Sequence, residues 1–366
     1  MNSKKINLRY YLLFSIYLSI SIGNTGCSSS GDDYPAGDIG ATNQDASYQD
    51  LSASDLNNHT DALLDAEPPR QDGTSQPPNP ENFGESAKVH MEAISNGIGA
   101  RPYGTPPETD TAKYIYDEFK KYGYEPSKIP FTQGAFISAN VIASKKGLSS
   151  VEIIVGAHYD SVLTGSGADD NASGVGVMLE VAQYLAKIDT PYSMRFIAFG
   201  SEEIGMWGSK YFVSQLSATE IQNILAMINI DSIAAGDFAY VYGDEGKEGV
   251  IRDWILDWAK KNGVDLRTQQ GENPQYPAGT TGAWGDSHPF SKIGIPYAYF
   301  EATNWTLGDK DGWIQVDPKY GNQGMIWHSP YDTIEYISKT FPGRIEAHLK
   351  IFVAALYHIL TEFTQP

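Results

Sequence analysis

The sequence predicts an α/β fold: a single domain whose mixed β-sheet, parallel at its centre, is sandwiched between α-helices. Three observations carry this expectation. Apolar runs of strand character recur near Val151, Met194, Leu225 and Pro296. Val177, Met178, Val181 and Leu185 fall on one face at helical spacing between two of them. Several of the runs are followed at once by carboxylate or imidazole side chains, the order an open α/β sheet produces when functional groups collect beyond the carboxyl ends of its strands.

In chain order, a leader without ligand-type residues, Gly97 to Thr105, is followed by a helix-like stretch from Asp110 to Tyr122 and a strand-like one from Ser138 to Ala143. The run Val151 to Ala157 then delivers His158-Tyr159-Asp160. Gly167-Ala168-Asp169-Asp170-Asn171-Ala172-Ser173-Gly174 opens the next helix. Arg195 to Gly200 precedes the pair Glu202-Glu203, and Leu225 to Ile230 delivers Asp231. His328-Ser329-Pro330-Tyr331-Asp332-Thr333 closes the series.

Each station alone has a plainer reading. His158 and Asp160 could be a satisfied pair, Asp169 to Asn171 a turn with an N-cap, Glu202 and Glu203 first-turn acids favoured by a helix dipole, and Asp231 the start of an Asx turn. As a set, His158, Asp170, Glu203, Asp231 and His328 supply two imidazoles and three carboxylates, the usual make-up of catalytic zinc. One carboxylate can bridge two ions, and two divalent ions roughly 3.5–4 Å apart activate water and stabilise an oxyanion.

On these residues the chain resembles the co-catalytic di-zinc aminopeptidases, a metallopeptidase family, from about Glu92 to its end. The resemblance implies His158 and Asp231 on one zinc, Glu203 and His328 on the other, and Asp170 bridging. Glu202 stays off the metals as general base. Asp160 is implied as the partner that fixes the tautomer of His158, and Asp332 is given a similar place near His328. Two departures stand out. The family's Ser-Asp-His is here Gly285-Asp286-Ser287-His288, which leaves Asp286 alone in register, and a tyrosine before the last histidine is replaced by Trp327.

Other residues read as structural. His348 and His358 lie in a helical stretch, Arg344 to Phe363, with an apolar stripe of Ile345, Leu349, Phe352, Ala355 and Leu356. His59 and His90 are not ligand candidates. Trp305, Trp313, Tyr320 and Trp327 form an aromatic group in a Gly- and Asp-rich loop, read as a packed flap that also walls the pocket leading to His328.

The start of the chain reads differently from the rest. Lys4, Lys5 and Arg9 precede an apolar run from Tyr10 to Ile22, too short to span a ~30 Å hydrocarbon core, and the run ends at Gly26-Cys27. Residues 1–27 therefore read as a signal peptide. Cys27, the only cysteine of the 366 residues, stands where a bacterial lipoprotein signal places its acylated residue, although Asn24 occupies the usual leucine position. A lone cysteine also excludes an intramolecular disulfide. Residues 28–81, which up to Pro80 hold ten acids against one base, Arg70, have too little apolar surface to offset ordering entropy. That stretch is expected to be a disordered acidic tether, and residues 82–366 the peptidase domain.

The formal net charge of −19 disfavours nucleic acid as a partner, because phosphate binding needs a positive face. The expected function is a zinc exopeptidase with two Zn2+ per chain that removes residues from peptides with a free N-terminus. It would be exported from a bacterial cell and touch a membrane only through a lipid anchor at Cys27. A glutaminyl-peptide cyclase is the alternative within the enzyme class. A binding ectodomain is the rival outside it.

Overall fold

The computed structural model describes residues 77–365. The signal segment, Cys27 and all but the end of the acidic stretch lie outside the described residues. The ordered chain runs α1 (Glu85–Glu92), α2 (Pro106–Tyr122), β1 (Ser127–Gln133), β2 (Phe136–Lys145), β3 (Ser149–His158), α3 (Gly174–Leu185), β4 (Tyr192–Phe199), α4 (Trp207–Ser214), α5 (Ala218–Asn223) and β5 (Ile224–Ile230). It continues with β6 (Phe238–Gly243), α6 (Val250–Asn262), β7 (Leu266–Arg267), α7 (Ser287–Ser291), β8 (Tyr297–Thr303), α8 (Ile334–Thr340) and α9 (Arg344–Glu362).

The eight strands form one sheet in the order β1-β2-β4-β3-β5-β8-β6-β7. The central neighbours β4-β3, β3-β5 and β5-β8 are parallel, whereas β1-β2, β2-β4 and β6-β8 are antiparallel. The expected mixed sheet with a parallel centre is therefore present. Its central strands are near-continuous apolar runs because both faces are covered. Alternate residues divide between the faces: Ile153 and Val155 of β3 meet Val177, Val181, Phe352 and Leu356 of the helices on one side. Ile154 packs with Phe199, Phe212 and Phe290 on the other.

Local signals explain several boundaries. Pro106 and Pro107 open α2, where a missing N–H costs nothing, and Gly123 in the left-handed region closes it. Ser217 and Glu220 form a reciprocal capping box on α5. The parallel order of β3, β4 and β5 gives all three the same carboxyl edge. His158 is the last residue of β3, Asp231 follows β5 directly, and Glu202 and Glu203 come just after β4.

Candidate metal centre

Five side chains meet on that edge in two groups that share one residue. His158, Asp170 and Asp231 offer ligand atoms within 4.8 Å of one another, and so do Asp170, Glu203 and His328. The two oxygens of Asp170 divide between them: Oδ1 lies 3.0 Å from Nε2 of His158, and Oδ2 lies 3.2 Å from Nε2 of His328. Nε2 of His158 is also 3.2 Å from Oδ1 of Asp231, and Nε2 of His328 is 2.8 Å from Oε2 of Glu203. The imidazole–carboxylate donor set, with a carboxylate aimed at both groups, fits a pair of zinc-type ions.

The charges respond to this crowding. Burial opposes the imidazolium of His158, yet Asp231, Asp160 and Asp170 raise its pKa well above the ordinary value. Burial likewise opposes charge on His328, but Glu203 and Asp170 push it up to about 12. Burial works against ionised Asp170, and the two histidines overcome it and lower its pKa. Glu202, in neither donor group, is raised well above the usual carboxylate range by burial. His158 opposes that shift, while Asp286, Glu203 and Asp231 add to it.

Buried carboxylates that are not in the donor groups fix the loops that carry them. Asp160 approaches Nδ1 of His158 only to 3.5 Å, long for a hydrogen bond. Its oxygens instead accept the backbone N–H of Glu202 at 2.9 Å and of Glu203 at 3.2 Å. Asp332 does not pair with His328 as expected; it accepts the N–H of Asp169 at 2.6 Å and of Asp170 at 3.2 Å. Asp169 in turn accepts from the N–H groups of Ala234 and Ala235, just past Asp231, and from Nε2 of Gln315. Oε1 of Gln315 then accepts the N–H of Ile326 and Trp327, the two residues before His328. The ligand loops are thus tied to one another rather than to solvent.

Asn171 closes the same circle. Its Nδ2 donates to the carbonyl of Ile230, and its Oδ1 accepts the N–H of Gly174 and of Ser232. Gly174 has to be glycine, since an added Cβ would stand 2.4 Å from that Oδ1. Ser201, Ser232 and His328 have φ of 58°, 51° and 49°. Left-handed backbone at non-glycine residues is strained and concentrates where surrounding structure enforces it; all three lie at ligand stations.

Sequence reasoning missed Asp169, Gln315 and Arg101 as parts of this framework. Arg101 is fully buried and donates to the carbonyls of Tyr159, Gly99, Ser166 and Gly167. The doubled Asp169-Asp170 was a usable signal; Gln315, which acts across 146 residues, left none. Asp286 is buried, and among the described residues neither of its oxygens has a hydrogen-bond partner; burial pushes its pKa up to about 7. His288 lies outside both donor groups. His348 packs edge-on against Phe352 within α9, and His358 stacks on Trp258. The flap divides: Trp305 is buried in a cluster with Tyr240, Tyr242 and Tyr299. Trp327 stacks on His328 and packs against Trp313, which meets Trp284.

A parallel-centred α/β sheet with this donor set on its carboxyl edge defines a metallohydrolase of the zinc-exopeptidase type. The chain belongs to peptidase family M28, whose model matches residues 140–353. It is 33% identical over 322 residues to the alkaline phosphatase isozyme conversion protein of Escherichia coli, covering 79% of this chain and 92% of that one. It is 32% identical over 236 residues to aminopeptidase YwaD of Bacillus subtilis, covering 63% of this chain and 46% of that protein, so it spans about half of that relative. Among solved structures, a zinc aminopeptidase from Bacillus subtilis superposes with a TM-score of 0.61 at 20% identity, covering 79% of this chain and 97% of that one. Porphyromonas gingivalis glutaminyl cyclase does so with 0.58 at 22%, covering 76% and 98%. At such identities the superpositions establish the fold.

Proposed function

We propose that the chain is an aminopeptidase that holds two zinc ions and hydrolyses the first peptide bond of peptides with a free N-terminus. The observation that carries this reading is the division of the two Asp170 oxygens between the His158–Asp231 and the Glu203–His328 groups. When bound, such an ion pair lowers the pKa of water and offsets oxyanion charge. Glu202, adjacent to a ligand but in neither donor group, takes the proton of the attacking water as its oxygen bonds to the carbonyl carbon. It returns that proton to the leaving nitrogen as the C–N bond breaks. Asp231 and Glu202 present the negative charge that a substrate ammonium group needs. Trp327 leaves oxyanion help from a tyrosine without a candidate at that position.

Supporting this reading, aminopeptidases are among the relatives, and both imidazoles and all three carboxylates are present. The cyclase reading rests on the similarity to glutaminyl cyclase structures. Export with a lipid anchor at Cys27 and a tether over residues 28–81 completes the proposal.

The test is a panel of aminoacyl-anilides, their N-acetylated controls and an N-terminal glutaminyl peptide, with and without chelator. Chelator-sensitive release from free-amine substrates alone supports the aminopeptidase. Cyclisation of the glutaminyl peptide alone overturns it in favour of the cyclase.

A further inference from the structure

The leader, residues 97–105, offers no metal donor in the proposed chemistry, yet its Arg101 is fully buried. The charges around the guanidinium are carboxylates, those of Asp332, Asp160, Asp170 and Glu203, and among the described residues none of them hydrogen-bonds to it. A buried charge normally pairs with an opposite one. Arg101 gives its fork to backbone carbonyls instead. Nε donates to Tyr159 at 2.5 Å, Nη2 to Gly167 at 2.8 Å, and Nη1 to Ser166 at 2.8 Å and Gly99 at 3.2 Å.

These acceptors mark the two ends of one loop. Tyr159 follows His158 at the end of β3, and Gly167 stands three residues before Asp170. His158 and Asp170 are the pair whose Nε2 and Oδ1 lie 3.0 Å apart. One guanidinium therefore spans the chain segment that separates two members of one donor group. The backbone of Arg101 adds to this hold: its N–H donates to Oγ of Ser161 at 3.1 Å, and its carbonyl accepts the N–H of Ser161 at 3.3 Å. The fit is close, since a Cβ added at Gly167 would stand 2.7 Å from Nη1. Toward the second donor group the loop reaches from its middle, where the N–H of Val162 donates to Oε1 of Glu203 at 3.1 Å.

We propose that Arg101 is a positioning residue for the His158–Asp170–Asp231 site, clamping both ends of the 159–167 loop so that the spacing of His158 and Asp170 is set before an ion arrives. The proposal rests on the two-zinc reading and deepens it by assigning the preformed geometry of one site to a cation that is never a ligand. The planar fork is essential, because a lysine ammonium keeps the charge but cannot hold carbonyls on separate sides in fixed directions.

The test uses the full chain. In chelator-treated wild type, the amides of Ser161 and Ser166 should exchange hydrogen as slowly as in zinc-loaded protein, since the clamp needs no metal. Protection that appears only with zinc would overturn it. Zinc titration against a competing chelator should resolve two affinities in wild type. Arg101→Lys should weaken one of them roughly 10–100-fold, the usual effect of losing a group that orients a ligand, and change the other little. With Co2+ as the probe, the half-loaded Arg101→Lys protein should show the absorption spectrum of His158→Ala. Leu356→Ala, in the core of α9, controls for lost stability: it should lower Tm and leave both affinities unchanged. Wild-type affinities in Arg101→Lys, equal weakening of both ions, or the same selective loss in Leu356→Ala would each overturn the clamp. If Arg101→Lys does not fold, the exchange measurement on wild type decides. If wild type binds no metal, the two-zinc reading falls, and exchange in the metal-free chain still decides the clamp: slow exchange at Ser161 and Ser166 upholds it and fast exchange overturns it.

Discussion

The carboxylate of Asp332 holds the backbone of Asp170, the residue whose two oxygens serve both donor groups. Asp332 lies four residues after His328, so the segment that brings one imidazole also positions the carboxylate opposite it. Replacing Asp332 by Asn turns one acceptor into a donor facing a backbone N–H. An unmatched buried polar pair costs about 1–3 kcal/mol, and loss of such support around a metal ligand costs roughly 10–100-fold in affinity or activity. The Asp332→Asn variant should fold with a lowered Tm and give up zinc to a competing chelator at lower concentration than wild type. Equal zinc retention would show that Asp332 serves stability alone.

Glu202 belongs to neither donor group, so its removal should separate chemistry from metal binding. Glu202→Gln keeps the side-chain shape but accepts no proton, and loss of a general base typically lowers the rate about 10²–10⁴-fold. The expected result is a fall of that size in kcat with the zinc content of wild type. Wild-type turnover in the loaded variant would remove Glu202 from the role.

The proposed pair of ions makes a prediction about counting. His328 contributes to one donor group only and His158 to the other, so His328→Ala and His158→Ala should each bind close to one zinc after gel filtration, against two for wild type. Asp170→Asn weakens both groups and should bind least. Complete loss in both single histidine variants would indicate one shared site.

Much of the centre was legible because its residues follow strands whose apolar runs stand out. The runs ending at His158 and Asp231 correspond to β3 and β5, and the helical stripe of Val177 and Val181 to α3. The stretches read from Asp110 and from Arg344 correspond to α2 and α9. Less legible were β6, where Tyr240 and Tyr242 give no clean apolar alternation, and β7, which is only two residues long. The hairpin formed by β1 with the start of β2 was also missed: its outward Phe136 and Ile137 break the alternation that marks a half-buried strand. The long-range bonds of Asp160, Asp169, Asp332 and Gln315 were beyond any local pattern. Asp160 and Asp332 were singled out by sequence, each as partner of a histidine; Asp160 does lie 3.5 Å from Nδ1 of His158 while also accepting backbone N–H groups, whereas Asp332 holds backbone N–H groups instead. A carboxylate that follows a histidine along the chain does not by its spacing reveal which other donors the fold will bring to it.

Glu301 on β8 gives a prediction about pH. Burial drives its pKa up, the Tyr242 hydroxyl at 2.8 Å offsets part of the shift, and Asp231, Asp169 and Asp170 add to it, leaving it at about 8. The ordinary value is 4.5, so between the two the folded chain binds a proton that the unfolded chain has released. Stability from this group is fully present at low pH and falls as pH rises through that window, by about 1.4 kcal/mol for each unit at most. Glu301→Gln is neutral throughout and retains an acceptor for Tyr242. In chelator-treated protein, where no dication offsets Asp231, the Tm of wild type relative to Glu301→Gln should decline steadily from pH 5 to 8 and level off above it. A constant difference over that range would mean that the carboxyl is already ionised in the folded chain at pH 5.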